Sequence, residues 1–516
     1  MQKIFDNPSK LESLVKQKYG FPDFIMMENA ALSIKNLILE LSEQKTPAPD
    51  TLPVCLILCG KGNNGGDGYA LARMLYGQLQ PLVYSLEAPV ATEAIKQYEI
   101  CKKMGITFVS QKKLFEILRG CDSGSKKNNA KQTPQTPFFI VDCLYGTGFK
   151  GQPSPSVQKI LDTANKATAT RIACDIPTAL AFNADYTVTM GEHKLQLFSD
   201  RAKQVAGKII VAPLGIDHSL FEDTLPASKV PAHLITPEDI KLPVRTNKAA
   251  HKGTYGHTAI FAGEKAGASI ICATAAMNFG SGLTSLIRRP QTNLGQFKIS
   301  PELMISELGK DNLLKIPGKT TSLVFGPGIE KINKEDLNQI KNWFLDKQNK
   351  TPSAVFDAGV FGNKDFIQML ELINQHPNAR IVLTPHLLEL TRLCQSLKIF
   401  PGITVRELAE NPELKIKIGK KLNSLFPQTT LVIKSANTFI AGAGQTYIIN
   451  DGTPALAKGG SGDVLAGMIA ALLAQGYTAK DAAITACEAH ALAAQKNGAG
   501  SYSLTPLKLI KLISTL

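Results

Sequence analysis

The chain lacks an apolar stretch long enough to cross a membrane. A transmembrane helix needs about 18–20 consecutive apolar residues, and no run in the sequence approaches that length. The first ten residues are polar, so the apolar core of a signal peptide is also missing there. The sequence therefore predicts a cytoplasmic protein with no membrane partner.

Cysteine pairs that bind zinc or form a redox motif are missing as well. The 516 residues include nine cysteines, none in a Cys-x-x-Cys pair and none grouped with histidine at zinc-binding spacing. Cys55, Cys59 and Cys174 lie in apolar, strand-like segments. We interpret the cysteines as reduced core residues rather than catalytic or metal-binding groups.

No long basic tract accompanies the net charge of +14. The lysines are scattered, with only short clusters such as Lys112-Lys113 and Lys126-Lys127, whereas nucleic-acid-binding proteins usually focus positive charge in one patch. A solvated, lysine-rich surface is favoured, and nucleic acid is not an expected partner. A weak general attraction for anionic nucleotides is compatible with this charge.

A chain of this length needs more than one hydrophobic core, so two domains are predicted. The pattern of apolar segments is that of an α/β protein. Short apolar segments that predict buried strands occupy residues 54–59, 138–141, 171–174, 208–212, 258–261, 322–325, 354–356, 381–383 and 430–433. Helical patterns occupy residues 69–77, 269–279, 337–345, 387–397, 404–425, 464–473, 479–494 and 507–516. This alternation predicts mainly parallel sheets in both halves.

Two segments interrupt the alternation. Residues 122–137 are polar and predict an exposed loop. Between residues 217 and 244 prolines recur at positions 226, 231, 237 and 243, which indicates a domain boundary. We predict an N-terminal domain over residues 1–222, a linker over 223–244 and a C-terminal domain over 245–516.

Three polar turns follow predicted strands in the N-terminal half. Residues 60–68 read GKGNNGGDG, and no Gly-Lys-Ser/Thr closes this segment as in a Walker loop. Asp142 opens the turn DCLYGTG, and Asp175 opens the turn DIPT. Because the carboxyl ends of parallel strands meet at one edge of a sheet, the three turns are expected to converge there.

These turns resemble the NAD(P)H-hydrate epimerase family, known from YjeF-type N-terminal domains. The resemblance covers about residues 10–220 and also rests on MENAA at 27–31 and on Lys194. It implies a Rossmann-like three-layer sandwich, with a potassium ion held by oxygens of Asn64, Asp142 and Thr178. It also implies substrate contacts by Asn63, Asn64, Gly65, Gly66, Asp67, Gly146, Thr147, Gly148, Phe149, Lys150 and Asp175.

Asp175 is the candidate acid/base residue of this domain, and the alternative is an aspartate that caps a tight turn before proline. The turn departs from the family, which usually reads DIPSG, because Thr178 and Ala179 replace serine and glycine. Threonine retains a hydroxyl oxygen for a cation. Alanine strains the turn if this position requires a positive φ.

A glycine-rich turn before an apolar helix is the most informative motif of the C-terminal half. It reads KGGSGD over residues 458–463. Such a turn lets backbone N–H groups approach an anion at a helix N-terminus, and it places Asp463 beside that anion as a base for phosphoryl transfer. For this turn alone, a helix capped by aspartate after a flexible loop is the alternative.

With its neighbours, this turn resembles the ribokinase-like NAD(P)H-hydrate dehydratase family over about residues 235–516. The resemblance rests on HKGTYG at 251–256, GPG at 326–328, TPHxxE at 384–389 and GGSGDVLAG at 459–467. We expect these motifs at the carboxyl ends of strands. The resemblance implies that ADP in bacteria, or ATP in eukaryotes, drives the dehydration of hydrated NADH or NADPH.

The resemblance also implies residue roles in the C-terminal domain, with Asp463 as the base. The nucleotide-binding set is Lys434, Ser435, Ala436, Asn437, Thr438 and Gly462, and the substrate-binding set is Ala268, Gly328, His386 and Asp463. Serine at 435 replaces the family's usual glycine, and its aspartate-rich turn is changed to Asp357-Ala358-Gly359. The alternatives are a structural turn residue for His386 and an exposed strand-end lysine for Lys434.

Together the two resemblances predict a bifunctional enzyme for a small-molecule substrate. One domain interconverts the R and S hydrates, and the other dehydrates the S form with ADP, giving AMP and phosphate. ADP or ATP, K⁺, and Mg²⁺ on the nucleotide phosphates are the expected cofactors, and a homo-oligomer is the expected assembly. The alternative is a ribokinase-type small-molecule kinase with a non-catalytic N-terminal binding domain.

Overall fold

A computed structural model describes residues 1–6, 8–43, 52–120, 137–226, 229–308, 320–498 and 500–516. The predicted loop at 122–137 lies outside the described residues except for its last position. The chain divides into two compact units, one of which spans Lys3–Val230 and the other mainly Pro231–Leu516. The domain limits at residues 222 and 244 stay predictions.

The N-terminal unit is built on a parallel sheet. Its strands are β1 (Gln2–Phe5), β2 (Val54–Cys59), β3 (Gln80–Ser85), β4 (Thr107–Phe108), β5 (Pro137–Cys143), β6 (Thr170–Cys174), β7 (Tyr186–Met190), β8 (His193–Lys194) and β9 (Lys208–Ala212). The sheet order is β4-β3-β2-β5-β6-β7-β9, with parallel neighbours throughout, and β1 pairs in parallel with β8.

Helices cover both faces of this sheet. They are α1 (Pro8–Tyr19), α2 (Asp23–Glu43), α3 (Asn63–Leu75), α4 (Thr92–Lys103), α5 (Gln111–Gly120), α6 (Pro155–Ala164), α7 (Asp200–Val205) and α8 (His218–Glu222). Alternate residues of β2 enter different cores: Ile57 lies in one cluster, and Leu56 and Leu58 lie in the other. Burial on both faces explains why this strand is a continuous apolar run.

Helix α3 begins six residues before the predicted position of 69, so the NNGGDG segment is its first two turns rather than a loop. Close packing is the physical reason. A Cβ at Gly66 would lie 2.5 Å from Met27 Cε, and one at Gly68 would lie 2.7 Å from Cys59 Sγ. The missing side chains let the start of the helix lie directly on the sheet.

The C-terminal unit is also mainly parallel. Its strands are β10 (Ala232–Leu234), β11 (His257–Ala262), β12 (Leu283–Arg288), β13 (Met304–Glu307), β14 (Ser322–Phe325), β15 (Ser353–Phe356), β16 (Arg380–Leu383), β17 (Thr429–Ile433), β18 (Thr438–Gly442) and β19 (Gln445–Ile449). They follow the order β13-β12-β11-β14-β15-β16-β17-β18-β19-β10. The pairs β17–β18 and β18–β19 are antiparallel.

The helices of this unit are α9 (Ala266–Asn278), α10 (Lys334–Leu345), α11 (Lys364–Ile373), α12 (Leu387–Ser396), α13 (Val405–Glu410), α14 (Pro412–Leu425), α15 (Ser461–Ala474), α16 (Ala479–Gln495) and α17 (Pro506–Ile513). The single helix predicted over 404–425 is wrong. It is interrupted at Asn411, because the residue before Pro412 is disfavoured in helical conformation.

Burial confirms the interpretation of the cysteines, since every cysteine in the described part of the chain is free and buried. The prediction of two α/β domains with mainly parallel sheets is also confirmed. Within the described ranges, no helix is both long enough and apolar enough to cross a membrane.

Candidate active sites

The three N-terminal turns converge at the carboxyl edge of their sheet, as predicted. They border a cavity of about 520 Å³, whose wall is completed by α1 and α2. The predicted substrate-binding residues that line it are Asn63, Asn64, Asp67, Gly146, Thr147, Gly148, Phe149 and Asp175. Gly65, Gly66 and Lys150 are not in its lining. Gly65 and Gly66 are packing positions in α3, and Lys150 is exposed.

Asp175 is held tightly in this cavity. Its Oδ1 pairs with the ammonium of Lys194, and its Oδ2 accepts a hydrogen bond of 3.0 Å from the Thr147 N–H. Lys194 is only 2% exposed. Burial opposes the charge of Lys194, but the carboxylates of Asp175 and Glu192 outweigh it and raise the lysine pKa. Asp175 therefore lies in the site as an oriented, charge-paired group.

The predicted potassium ligands lie beside this pair. Asp142 is fully buried, and it accepts hydrogen bonds of 2.8 Å from both the hydroxyl and the backbone N–H of Thr178. Burial raises the pKa of Asp142 to about 6. The side-chain amide of Asn64 is buried without a hydrogen-bond partner in the described part of the chain.

A shared turn brings these oxygens together. The Tyr145 N–H donates to the Thr178 hydroxyl at 3.1 Å, and a Cβ on the next residue, Gly146, would lie 3.5 Å from Asn64 Oδ1. Oxygens of amide, carboxylate and hydroxyl type suit a hard cation. The residues present therefore fit a potassium ion.

Ala179 adopts a left-handed conformation, with φ 53° and ψ 20°. The departure from glycine thus falls on a position that requires positive φ, which costs an alanine roughly 1–2 kcal/mol. The turn nonetheless keeps Thr178 against Asp142. The substitution therefore adds strain without removing the ligand geometry.

In the C-terminal unit, the candidate residues gather where β14, β15, β16 and β17 end and α15 begins. Asp463 lies in the first turn of α15. Burial, with a further contribution from the charge of Asp357, raises the pKa of Asp463 to about 6, although Lys434 opposes the shift. A carboxylate with this pKa accepts a proton readily near neutral pH.

Lys434 pairs with Asp357 across the ends of β17 and β15, since its Nζ donates to Asp357 Oδ1 at 2.7 Å. Burial disfavours the lysine charge, but Asp357 outweighs this effect and raises the Lys434 pKa. The changed turn Asp357-Ala358-Gly359 gives no indication of a partner for Asp357, and this contact supplies one. Lys434 is accordingly a half-buried site residue rather than an exposed strand-end lysine.

The start of α15 has the geometry of an anion-binding site. Gly460 adopts φ 94°, and a Cβ at Gly462 would lie 3.4 Å from Lys434 Nζ. The ring of His490 lies 3.1 Å from the Ser461 carbonyl oxygen and supports the turn. The backbone N–H groups of the first helical turn have no intrahelical acceptors, so together with Lys434 they favour a phosphate.

Side-chain hydrogen bonds hold the predicted nucleotide-binding segment 434–438 in place. Ser435 Oγ accepts a hydrogen bond of 2.8 Å from Lys415 and donates one of 2.7 Å to the Asn437 carbonyl oxygen. Ser435 is not at positive φ. Serine in place of glycine is therefore compatible with the backbone of segment 434–438.

The predicted substrate contacts Ala268 and Gly328 are neighbours. Gly328 has φ 72°, and a Cβ there would lie 2.2 Å from the Lys265 carbonyl oxygen and 3.3 Å from Ala268 Cβ. His386 caps α12, because its Nδ1 accepts from the N–H of Leu388 and of Glu389. The structure thus gives His386 a structural role, and its Nε2 lies 3.4 Å from Glu389 Oε1 on a side chain that is half exposed.

The HKGTYG motif lies at the opposite edge of the sheet, so our expectation for its place is wrong. It precedes β11 instead of following a strand, and a Cβ at Gly256 would lie 2.1 Å from the carbonyl oxygen of Ala474. Ala474 ends α15, whereas Asp463 lies in its first turn. The helix is roughly 20 Å long. The motif therefore packs the fold and does not line the Asp463 site.

One cavity residue, Glu12 of α1, is not predicted from the sequence. It precedes every motif of the N-terminal resemblance, and a glutamate on a polar helix is normally a solvated surface residue. Only its position in the wall of the cavity distinguishes it.

Two family models match the chain. The family described as NAD(P)H-hydrate dehydratase matches residues 258–515, and the family described as YjeF-related protein N-terminus matches residues 23–196. With the sheet topology, these matches confirm the prediction of two α/β domains, a YjeF-related domain at the N-terminus and a domain of the NAD(P)H-hydrate dehydratase family at the C-terminus.

Named relatives match most or all of the chain. The bifunctional NAD(P)H-hydrate repair enzyme Nnr of Helicobacter pylori is 34% identical over 527 residues, covering 100% of both chains. The enzyme of the same name from Escherichia coli is 29% identical and covers 85% of this chain and 80% of its own. A solved ADP/ATP-dependent NAD(P)H-hydrate dehydratase from Bacillus subtilis, co-crystallised with ATP and Mg²⁺, is 23% identical. It covers 55% of this chain and 97% of its own, with a TM-score of 0.44.

Proposed function

The chain belongs to the family of bifunctional NAD(P)H-hydrate repair enzymes, and from this premise we propose how its two domains share the repair. The N-terminal domain, residues 1–222, interconverts the R and S hydrates of NADH and NADPH. The C-terminal domain, residues 245–516, dehydrates the S form with ADP, and residues 223–244 link them. The observation that carries the dehydratase assignment is Asp463, a carboxylate with raised pKa in the helix turn beside the Lys434–Asp357 pair.

Asp463 is the base of the dehydratase. It takes the proton of the C6 hydroxyl of the hydrate, and the hydroxyl oxygen attacks the terminal phosphoryl group while AMP leaves. Phosphate then departs from C6, assisted by the lone pair of the ring nitrogen, and loss of a C5 proton restores the dihydronicotinamide. A poor leaving group is thereby converted to a good one before the C–O bond breaks.

The residues around Asp463 place the two substrates. Gly462 and the segment Lys434, Ser435, Ala436, Asn437 and Thr438 hold the nucleotide, because the helix N-terminus and the lysine favour its phosphates. Ala268, Gly328 and His386 hold the hydrated nicotinamide nucleotide. Mg²⁺ bound to the nucleotide would neutralise phosphate charge. The described residues contain no cluster of three or more His, Cys, Asp or Glu side chains arranged to hold a metal ion.

Asp175 is the acid/base group of the epimerase, and its orientation by Lys194 and the Thr147 N–H supports this role. Asn64, Asp142 and Thr178 would hold the potassium ion, whose positive charge favours binding of the anionic substrate. The buried, unpartnered amide of Asn64 is the observation that supports this site.

Recovery of dihydronicotinamide absorbance from hydrated NADH tests the proposal. The full chain is assayed without nucleotide, with ADP and with ATP, on a mixture of both epimers. We expect recovery with ADP that exceeds half of the pool faster than spontaneous epimerisation permits. No recovery with either nucleotide would overturn the dehydratase assignment, and accumulation of a stable phosphorylated hydrate would indicate the rival kinase function. Consumption of the S half alone would overturn the epimerase assignment.

A further inference from the structure

Glu12 contributes a carboxyl group to the N-terminal cavity from the helix side. Ser9 and Glu12 are three residues apart on α1 and both line the cavity. Leu11 and Val15, on the adjacent face of the helix, are fully buried in the core and fix its rotation. Glu12 lies outside the matched residues 23–196.

Strand pairing brings the start of α1 to Lys194. Strand β1 pairs with β8 in the register Phe5↔Lys194, and α1 begins at Pro8, only three residues after β1 ends. Glu12 is one turn further along. Asp175 reaches the same region from the end of β6 and pairs with Lys194. The two carboxyl groups thus enter one cavity from different elements.

The two groups differ in how they are held. Both oxygens of Asp175 are engaged, by Lys194 and by the Thr147 N–H. The Glu12 carboxyl group makes no hydrogen bond or ion pair within the described part of the chain, and the residue is only partly exposed. Burial raises the Glu12 pKa, opposed by Lys194. The charged or titratable groups facing Glu12 are Lys194, Asp175, Lys16, Asp23, Glu192 and Asp67.

We propose that Glu12 is a second catalytic acid/base residue of the epimerase, serving one face of the hydrated ring while Asp175 serves the other. The inference rests on the proposed epimerase activity. Inversion at C6 requires a hydroxyl to leave one face and water to add to the opposite face, so a single carboxylate is poorly placed for both steps.

The proton balance closes with two carboxyl groups. Protonated Glu12 gives its proton to the C6 hydroxyl, the C6–O bond breaks, and water leaves as the ring nitrogen lone pair forms the C6=N1 iminium. A second water attacks C6 from the opposite face, forms the new C6–O bond and gives a proton to the Asp175 carboxylate. Exchange with solvent resets both groups, and the other epimer follows the reverse path.

Two substitutions separate catalysis from packing. Glu12→Gln keeps the size of the side chain but removes the acid, whereas Glu12→Asp keeps the acid but shortens the side chain. A purely structural role is preserved better by glutamine, and an acid/base role is preserved better by aspartate. Glu40→Gln, at an exposed position of α2, is the matched control.

The experiment uses the full chain without nucleotide, so that the hydrate is not dehydrated, and follows conversion of purified R hydrate to S by chromatography. We expect Glu12→Gln to lower kcat by roughly 10²–10⁴ with KM within about threefold, Glu12→Asp to retain more activity than Glu12→Gln, and Glu40→Gln to match the parent. All variants should dehydrate S hydrate with ADP at the parental rate.

The outcomes are distinguishable. If the parent itself does not accelerate epimerisation, the proposed function fails. If the parent is active and Glu12→Gln matches it, or if Glu12→Gln outperforms Glu12→Asp, the role of Glu12 is overturned while the proposed function stands.

Discussion

The two candidate bases, Asp175 and Asp463, differ in what surrounds their carboxylates. Asp175 is paired with buried Lys194 and accepts a backbone hydrogen bond. Asp463 makes no hydrogen bond or ion pair within the described chain, because the nearby lysine, Lys434, is engaged by Asp357. One carboxylate is fixed by an ion pair and a hydrogen bond, and the other is unpaired with a raised pKa.

This difference suits the chemistry proposed for each site. An unpaired carboxylate with a pKa of about 6 is a strong enough base to take a hydroxyl proton during phosphoryl transfer. A carboxylate fixed by a lysine keeps its geometry. In our proposal Glu12, whose pKa is raised by burial, is the partner that donates a proton. Four experiments test whether the two carboxylates differ in this way.

The largest expected effect is that of Asp463→Asn. The amide cannot accept the hydroxyl proton, so we expect dehydration of S hydrate to fall by roughly 10²–10⁴ while epimerisation without nucleotide is unchanged. Asp365→Asn removes an exposed carboxylate from the first turn of α11 and is the matched control. Dehydration by Asp463→Asn at the parental rate would remove its role as base.

Lys194→Met should break the paired site by leaving Asp175 as an uncompensated buried charge. Removal of one partner of a buried ion pair typically costs about 3–5 kcal/mol, whereas Lys61→Met, at the exposed pair with Glu87, should cost about 1 kcal/mol or less. The measurement is urea unfolding followed by circular dichroism.

Tryptophan fluorescence assigns the unfolding transitions. The single tryptophan, Trp343, lies in the C-terminal unit. A transition seen by circular dichroism without a change in fluorescence therefore reports the N-terminal unit. Equal destabilisation by Lys194→Met and Lys61→Met would contradict the buried pair.

The pH dependence of dehydration should reveal the free carboxylate. Asp463 acts only when deprotonated, and its pKa is raised to about 6. We expect kcat/KM to be level above this pH and to fall about tenfold per pH unit below it. A profile level down to pH of about 4, as for an ordinary aspartate, would show that the carboxylate is not perturbed. The residual activity of Asp463→Asn should lack this limb.

The smallest effect is expected at the turn that follows Asp175. Ala179→Gly removes the strain of a left-handed alanine, partly offset by the greater entropy of glycine in the unfolded chain. We expect the N-terminal unit to be stabilised by up to about 1 kcal/mol. Ala181→Gly, at φ −123°, is the control and should destabilise it. Destabilisation by Ala179→Gly would contradict the assigned strain.

Much of the fold follows from local patterns. The apolar runs at 54–59 and 322–325 match β2 and β14 because strands buried on both faces need continuous apolar sequence. The start of α3 does not follow from such patterns. Glycines normally disfavour helix, and here they are required by the contacts with Met27 and Cys59.

The candidate sites divide in the same way. The sequence alone places Asp142 and Asp175 after strands and Asp463 at a helix start. Turn residues and the spacing of apolar residues are local properties of the sequence, so they can be recognised without the fold. Only the tertiary structure decides that Lys194 pairs with Asp175, that Lys434 pairs with Asp357, that Glu12 enters the cavity and that HKGTYG lies at the far edge of its sheet. These outcomes depend on contacts between segments distant in the chain. Burial and charge pairing arise only where those segments meet, so no local pattern encodes them.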